Sequence, residues 1–276
     1  MLARIPIIAL TLAFALLLAV PFGARAEGDD ALYRARTIVT GQREPERLVG
    51  FGHCLEDVLV KVSGDLRLAG DARLAPMERE ASHFVTSYRY HDRMAGIPLH
   101  DEQGTRDRPY DLFCRFNRAG VDALLASLRQ APWRGPRPTL VLFLGVHQFA
   151  RRFVLARDGK DGADMRDALA AAAEKWGMRV VLPDAKAVAA RHLTVERLDG
   201  RAPPGLEAAA HAAGGEIALS GTLVWRERLP GWVGQWHLEK GRRVSNWQVR
   251  AASFDAAFRN AVGGAMQILS GHGAPR

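Results

Sequence analysis

The chain has 276 residues, 48% of them apolar and 25% charged, which excludes a wholly disordered protein and leaves room for one large or two small domains. Its formal charge is +8 without any long Lys/Arg run, so it favours anionic partners or surfaces and says nothing about fold. Met1 to Arg4 is a short basic start, Ile7 to Val20 an apolar run, and Ala24-Arg25-Ala26 supplies the small residues that a signal peptidase reads. These features predict a signal peptide over residues 1–26 with cleavage before Glu27. The apolar run is short of the roughly 20 residues of a membrane span, Pro21 and Gly23 break it, and no other stretch comes near that length. Removing Arg4 and Arg25 leaves 36 basic against 30 acidic residues, a charge of +6. The expected product is exported, soluble and most simply periplasmic, with no membrane span after cleavage.

Residues 27–131 read as an N-terminal α+β domain. Leu32 to Val39 is a strand closed by Thr40-Gly41. Pro45 suits the first turn of a helix in which Leu48, Phe51, Leu55, Val58, Leu59 and Val62 make one apolar stripe, stopped by Gly64. A short helix is expected around Met77 to Phe84, then strands at Val85 to Tyr90 and Pro109 to Phe116. In the last of these Tyr110, Leu112, Cys114 and Phe116 share a face. Asn117 caps a helix whose buried side holds Val121, Leu124, Leu125 and Leu128. The order is β-α-β-β-α, helices covering one face of a small sheet.

Pro132, Gly135, Pro136 and Pro138 mark residues 132–138 as a connector, since they neither continue a helix nor fit a sheet ladder. Residues 139–276 read as a C-terminal α/β domain. Leu140 to Val146 is a buried strand. Met165, Leu169, Ala172 and Trp176 face one way along a helix ended by Gly177. Arg179 to Leu182 reads as a second buried strand, Asp184 as the cap of a short helix, and Pro203-Pro204 as the start of another that ends at Gly214-Gly215. A three-strand meander then runs from Ile217 to Arg250, and Ser253 caps a final helix carrying Phe254, Phe258, Val262, Met266 and Leu269. The expected class is α+β: a small α/β sandwich followed by a βαβαβββα mixed-sheet domain.

Two sets of residues are candidates for a special role. Cys54 and Cys114 are the only cysteines, one beside the helical stripe and one on the buried face of a strand. In an oxidising compartment they are placed to form a disulfide; the alternative is a pair of separate buried thiols. Trp225, Trp232, Trp236 and Trp247 lie on neighbouring meander strands. They either form the core with Phe254 and Phe258 or expose an indole, Trp232 beside its turn first, on a partner-binding face.

Familiar reaction motifs are absent. There is no G-x-S-x-G elbow, S-x-x-K set, H-E-x-x-H pair, G-x-x-x-x-G-K-[ST] loop or G-x-G-x-x-G turn. The pairs His91-Asp92 and His100-Asp101 match no helical ligand spacing and read as a polar hairpin loop, so no metal and no cofactor is expected. Trp133 among Arg134 and Arg137, and Arg242-Arg243 near Trp247, offer basic groups beside aromatics, but in an exported chain nucleic acid is not the expected partner.

VLVKVSGD (58–65), LFCRFNRAGVDALL, and Trp133 to Arg137-Pro138 before LVLFLGV resemble an uncharacterised exported proteobacterial family, domain of unknown function two-thousand-sixty-six, over nearly the whole mature chain. The resemblance implies an exported protein without an assigned activity; Cys54 and Cys114 depart from its pattern, which has apolar residues there. LEAAAHAAGGEIALSGTLVWRER, within Thr139 to Leu269, resembles the amino-terminal domain of the Tol-Pal translocation protein. It also resembles outer-membrane lipoproteins that activate penicillin-binding proteins or export curli. That likeness implies an accessory role beside an envelope protein or peptidoglycan-associated machinery. The expected function is a non-catalytic envelope accessory or docking protein; the alternative is a periplasmic small-molecule or glycan binding protein or hydrolase. A concave polar pocket would mark the second and an exposed patch the first.

Overall fold

The computed structural model describes residues 30–96, 107–200, 202–228, 230–241 and 243–275. The expected leader, its cleavage site before Glu27 and the His100-Asp101 pair lie outside the described residues. The fold is α+β, with two sheets that meet through one core.

Before the connector the chain forms β1 (Arg34–Thr40), α1 (Glu44–Ser63), α2 (Ala75–Arg79), β2 (Val85–Asp92), β3 (Pro109–Phe116) and α3 (Arg118–Ser127). The strands pair antiparallel in the order β1-β3-β2. Pro45 stands in the first turn of α1, and the Asn117 side chain accepts from the Gly120 backbone N–H at the start of α3, as their sequence positions imply. The α1 stripe is buried at Phe51, Leu55, Val58, Leu59 and Val62. Leu48 departs from it and is exposed. Gly50 is the residue that faces the sheet, where a Cβ would come within 2.6 Å of Val39 and Leu112, and a residue two positions away points to the far side of a helix. On β3, Leu112, Cys114 and Phe116 are buried under α1. The opposite sheet face carries Arg34, Arg36 and Ile38 from β1, Phe113 and Arg115 from β3, and Arg89 from β2, cross-strand neighbours in register. This face has no covering helix among the described residues.

After the connector come β4 (Thr139–Gln148), β5 (Arg151–Leu155), α4 (Ala163–Trp176), β6 (Arg179–Val181), α5 (Ala185–Ala190), α6 (Val195–Leu198) and α7 (Leu206–Ala212). Then follow β7 (Ile217–Arg226), β8 (Gly231–Lys240), β9 (Arg243–Ala251) and α8 (Phe254–Leu269). The sheet runs β5-β4-β7-β8-β9, with β6 parallel to the start of β4. Every residue of β4 from Thr139 to Val146 is buried. One face packs on α4 and α8; the other, through Val141, Phe143 and Ala218, packs on Leu193, Leu198, Leu206, Ala209 and Ala210 of the short helices and their loops.

Two expectations need correction here. Strand β5 went unread because its hairpin turn holds no Gly or Pro; Phe149 takes a left-handed φ of 53° to make it. The segment Arg179 to Leu182 is not a buried strand. Its strand part is three residues at the sheet margin, with Arg179 exposed, and Leu182 is buried only after the chain has left the strand. The core itself is continuous, running from Val39, Leu55 and Leu112 through Leu142 and Trp176 to Trp236, Phe258 and Met266.

Candidate functional site

The connector residues build one wall of a cleft, and their chemistry explains how the two sheets are joined. The Trp133 backbone N–H donates to the Val62 carbonyl at 2.8 Å. Arg137 lies 4.4 Å over the Trp133 ring and donates to the carbonyls of Lys61 at 2.6 Å and Trp176 at 3.2 Å. Those carbonyls belong to the last turns of α1 and α4, where backbone acceptors lack intrahelical partners and the helix dipole favours a cation. One guanidinium therefore joins a helix from each half. The Asp57–Lys175 ion pair joins the same two helices.

The VSGD stretch completes this joint. Ser63 Oγ donates to the Leu59 carbonyl at 2.8 Å and accepts from the Asp65 N–H at 3.1 Å. Gly64 takes a left-handed φ of 77°, and a Cβ there would meet Ser270 at 2.5 Å, whose hydroxyl donates to the Gly64 carbonyl. Asp65, fully buried, accepts two bonds from the Arg67 guanidinium at 2.7 Å and one from Gln130 at 3.1 Å. Burial pushes its carboxyl up, but the bonds from Arg67 outweigh this and hold it below the usual carboxylate range.

The cleft between the joined halves encloses about 1580 Å³. It runs along β1 from Ala31 to Ile38 and is closed by Asp57 and Lys61 of α1, the connector from Pro132 to Arg137, and the end of α4 through Arg179. Eleven basic side chains line it against four acidic ones, with Tyr33, Phe113 and Trp133 as its aromatic groups. Arg89 stacks 3.8 Å over the Phe113 ring, and Arg36 lies 5.8 Å from the same ring. The acids are engaged by bases: Asp57 by Lys175, Glu174 by Arg36 at 3.7 Å, and Asp111 by Arg93 at 3.8 Å. Lys61 is 5% exposed and donates to the Arg34 carbonyl at 2.5 Å. Burial lowers its pKa to about 8. Tyr33 donates to Asp122 at 2.8 Å, and burial with that bond raises its pKa to about 12.

The structure brings the two cysteines together. Cys54 and Cys114 are buried with their sulfurs 2.7 Å apart, the Cys114 thiol donating to Cys54 and the Cys54 thiol pointing to the Leu112 carbonyl at 3.9 Å. Both are free thiols here, so the bond itself is not present. The hydrogen bond with Cys114 and burial both push the Cys54 thiol up, which keeps it protonated.

The tryptophan expectation is corrected for Trp232. That indole is buried, set edge-on between Trp225 at 5.5 Å and Phe254 at 6.1 Å, because its strand face is the one α8 covers. Trp236 and Trp247 are buried too, the latter donating to Asn260 at 3.1 Å. Trp225 alone of the four is half-buried, beside exposed Phe149. The His91-Asp92 pair divides: His91 approaches Asp111 at 3.7 Å, whereas Asp92 pairs with Arg108 at 2.9 Å. Among the described residues no three His, Cys, Asp or Glu side chains converge as a metal site would require. No described helix is long and apolar enough to cross a membrane.

Sequence reasoning missed the cleft. Its only trace was the run of alternate arginines at Arg34 and Arg36, which reads as poor strand patterning until the pairing partners are known.

No curated protein and no solved structure matches the chain, so the likeness of Thr139 to Leu269 to the Tol-Pal domain and the envelope lipoproteins is without support. The expected family number is also overturned. The landmarks behind it include a helix stop and a buried strand with its Asn cap, which serve local needs of the chain and do not specify a family. The family model that matches, over residues 26–134, is described as Domain of unknown function (DUF8605).

Proposed function

We propose that this protein is an exported, non-catalytic docking protein that holds an acidic protein partner in the cleft between its two halves. The observation that carries this reading is the excess of eleven basic over four acidic side chains on one concave surface. A basic concavity with low-dielectric walls concentrates its field on a partner and rejects like-charged surfaces. Its walls are held by Arg137 and by the Asp57–Lys175 pair, so the charges are preorganised. Concavity is the mark expected of the alternative, a small-molecule or glycan binder or hydrolase; the docking reading is preferred to it because most titratable groups of the cleft are engaged within the protein. The buried lysine donates to a backbone carbonyl, and three of the four lining acids face basic partners. Export rests on the leader pattern of residues 1–26.

The test is fluorescence anisotropy of a labelled polyglutamate peptide with the mature protein at low and at high salt. Binding that weakens steeply with salt, as exposed charges demand, and that is lost in the double variant Arg36→Glu, Arg89→Glu supports the reading. Absence of binding to the wild-type protein at low salt overturns it. Amino-terminal sequencing of the exported protein tests the cleavage before Glu27.

A further inference from the structure

Building on that reading, we propose that the occupant of the cleft is an extended acidic peptide segment of the partner, added to the three-stranded sheet as a fourth strand beside β1. Among the described residues strand β1 is an edge of its sheet. Its register with β3 pairs Arg34 with Arg115 and Ile38 with Asp111. The Phe116 N–H donates to the Tyr33 carbonyl and the Gly41 N–H to the Arg108 carbonyl, so the odd-numbered residues exchange bonds with β3. In an antiparallel ladder the intervening residues then turn their N–H and C=O outward. Those are Arg34, Arg36 and Ile38, and the cleft lies along them. The Arg34 carbonyl confirms the direction, since it is met from outside the sheet by Lys61 at 2.5 Å. Arg36 and Ile38 present the remaining edge groups to the cleft.

An unpaired edge selects an extended chain, and main-chain bonds give such a strand its affinity while side-chain sites give specificity. The sites here are basic: Arg34 and Arg36 stand on the edge strand, and Arg89 is stacked on Phe113 in the same face. Arg34 is paired with Asp30 and Arg36 with Glu174, exposed pairs of the weak kind that an acidic strand must displace. A second copy of β1 would set arginine against arginine, which disfavours self-pairing; a strand with acidic residues at alternate positions sets them beside Arg34 and Arg36. Ile38, 53% exposed at the end of the row, lies on the same face as the two arginines and offers an apolar contact to the side chain set beside it there.

The probe is a fluorescein-labelled nine-residue peptide alternating Glu and Val, read by anisotropy with the mature protein. The comparison probes are the same peptide N-methylated at its Glu residues, whose N–H groups would face β1, a Lys/Val peptide, and vesicles containing anionic phospholipid. We expect binding of the Glu/Val peptide and none of the Lys/Val peptide. N-methylation, which keeps charge and removes backbone donors, should weaken binding about tenfold, the scale of one or two lost hydrogen bonds. Ile38→Pro removes one outward N–H, leaves the ladder to β3 intact and is of a kind tolerated at sheet edges. It should weaken binding about fivefold, while Ile38→Thr changes it little. If Ile38→Pro does not fold, the N-methylated peptide still decides the matter. Equal binding of the N-methylated peptide, with charge reversal still abolishing it, overturns strand addition and leaves the docking reading standing. Binding to anionic vesicles but not to the Glu/Val peptide overturns the peptide as occupant. No binding of any anionic probe overturns both readings.

Discussion

The two sheets of this protein solve opposite problems. The six-stranded sheet is covered on both faces, and its central strand β4 is buried from Thr139 to Val146. The three-stranded sheet is covered by α1 on one face only, and its other face and its β1 edge carry arginines beside a cleft. Burial on both sides concentrates stability in the first sheet, whereas the second keeps backbone and charge available for another molecule. Between them the Arg137 contacts and the Asp57–Lys175 pair hold the geometry that makes the cleft concave.

The sharpest way to break this contrast is to truncate an aromatic in each sheet. Trp236 is fully buried in the larger one, so Trp236→Ala should cost about 3–5 kcal/mol in urea unfolding. Phe113→Ala on the open face should cost less than about 1 kcal/mol, the range of a half-exposed packing contact, while weakening acidic-peptide binding. Equal losses would remove the division of labour.

A somewhat smaller effect is expected from the buried thiols under the small sheet. Cys54 and Cys114, 60 residues apart in sequence with sulfurs in contact, are placed to form a disulfide when the chain is oxidised. Oxidised and reduced protein should then differ by about 2–4 kcal/mol in unfolding. Thiol titration of the unfolded, non-reduced protein should find no free thiol; two would rule the disulfide out. The outcome decides whether the small sheet needs a covalent brace that the larger one does without.

Asp65 tests the buried polar contacts that follow α1, within the half that holds the small sheet. Asp65→Asn removes a charge that accepts from Arg67 and Gln130 and should cost about 2 kcal/mol. The carboxyl lies below its ordinary value of 3.8 in the folded protein. Its contribution is therefore complete above that value and is lost as pH falls through the depressed folded pKa. The acid limb of a stability–pH profile should flatten in the variant, and an unchanged limb would remove Asp65 from the account.

The least change is expected in alkali, where two cleft-lining groups oppose one another. Lys61 falls from 10.5 to about 8 on folding, so between those values the unfolded chain binds more protons and stability rises with pH. Tyr33 moves from 10.0 up to about 12, so over that interval the folded protein retains the proton and stability falls. Lys61→Met should abolish the rise and Tyr33→Phe the fall, both read from urea midpoints at stepped pH.

Much of the fold was legible because its signals are local. Asn117, Asp184 and Ser253 cap helices at the positions their spacing implies, and Gly64 and Gly177 end them in left-handed conformations. Each needs partners only a few residues away. The faces of β3 followed from a period of two, which backbone geometry imposes wherever a strand forms. The hairpin of β5 escaped notice because Phe149 occupies a conformation that sequence patterns assign to glycine or asparagine.

What the sequence by itself determined is therefore most of the succession of elements, β5 apart, and most of the residues each would bury, Leu48 and the strand part of Arg179 to Leu182 apart. Which strand became an edge was decided in three dimensions, by β3 pairing with both β1 and β2. The same holds for the cleft. Arg36 and Phe113, or Lys61 and Arg137, are distant along the chain and acquire a common role only when α1, α4 and the connector meet. Local hydrogen bonding sets caps and periodicity within a few residues, whereas a concave charged surface depends on contacts between segments far apart in the chain.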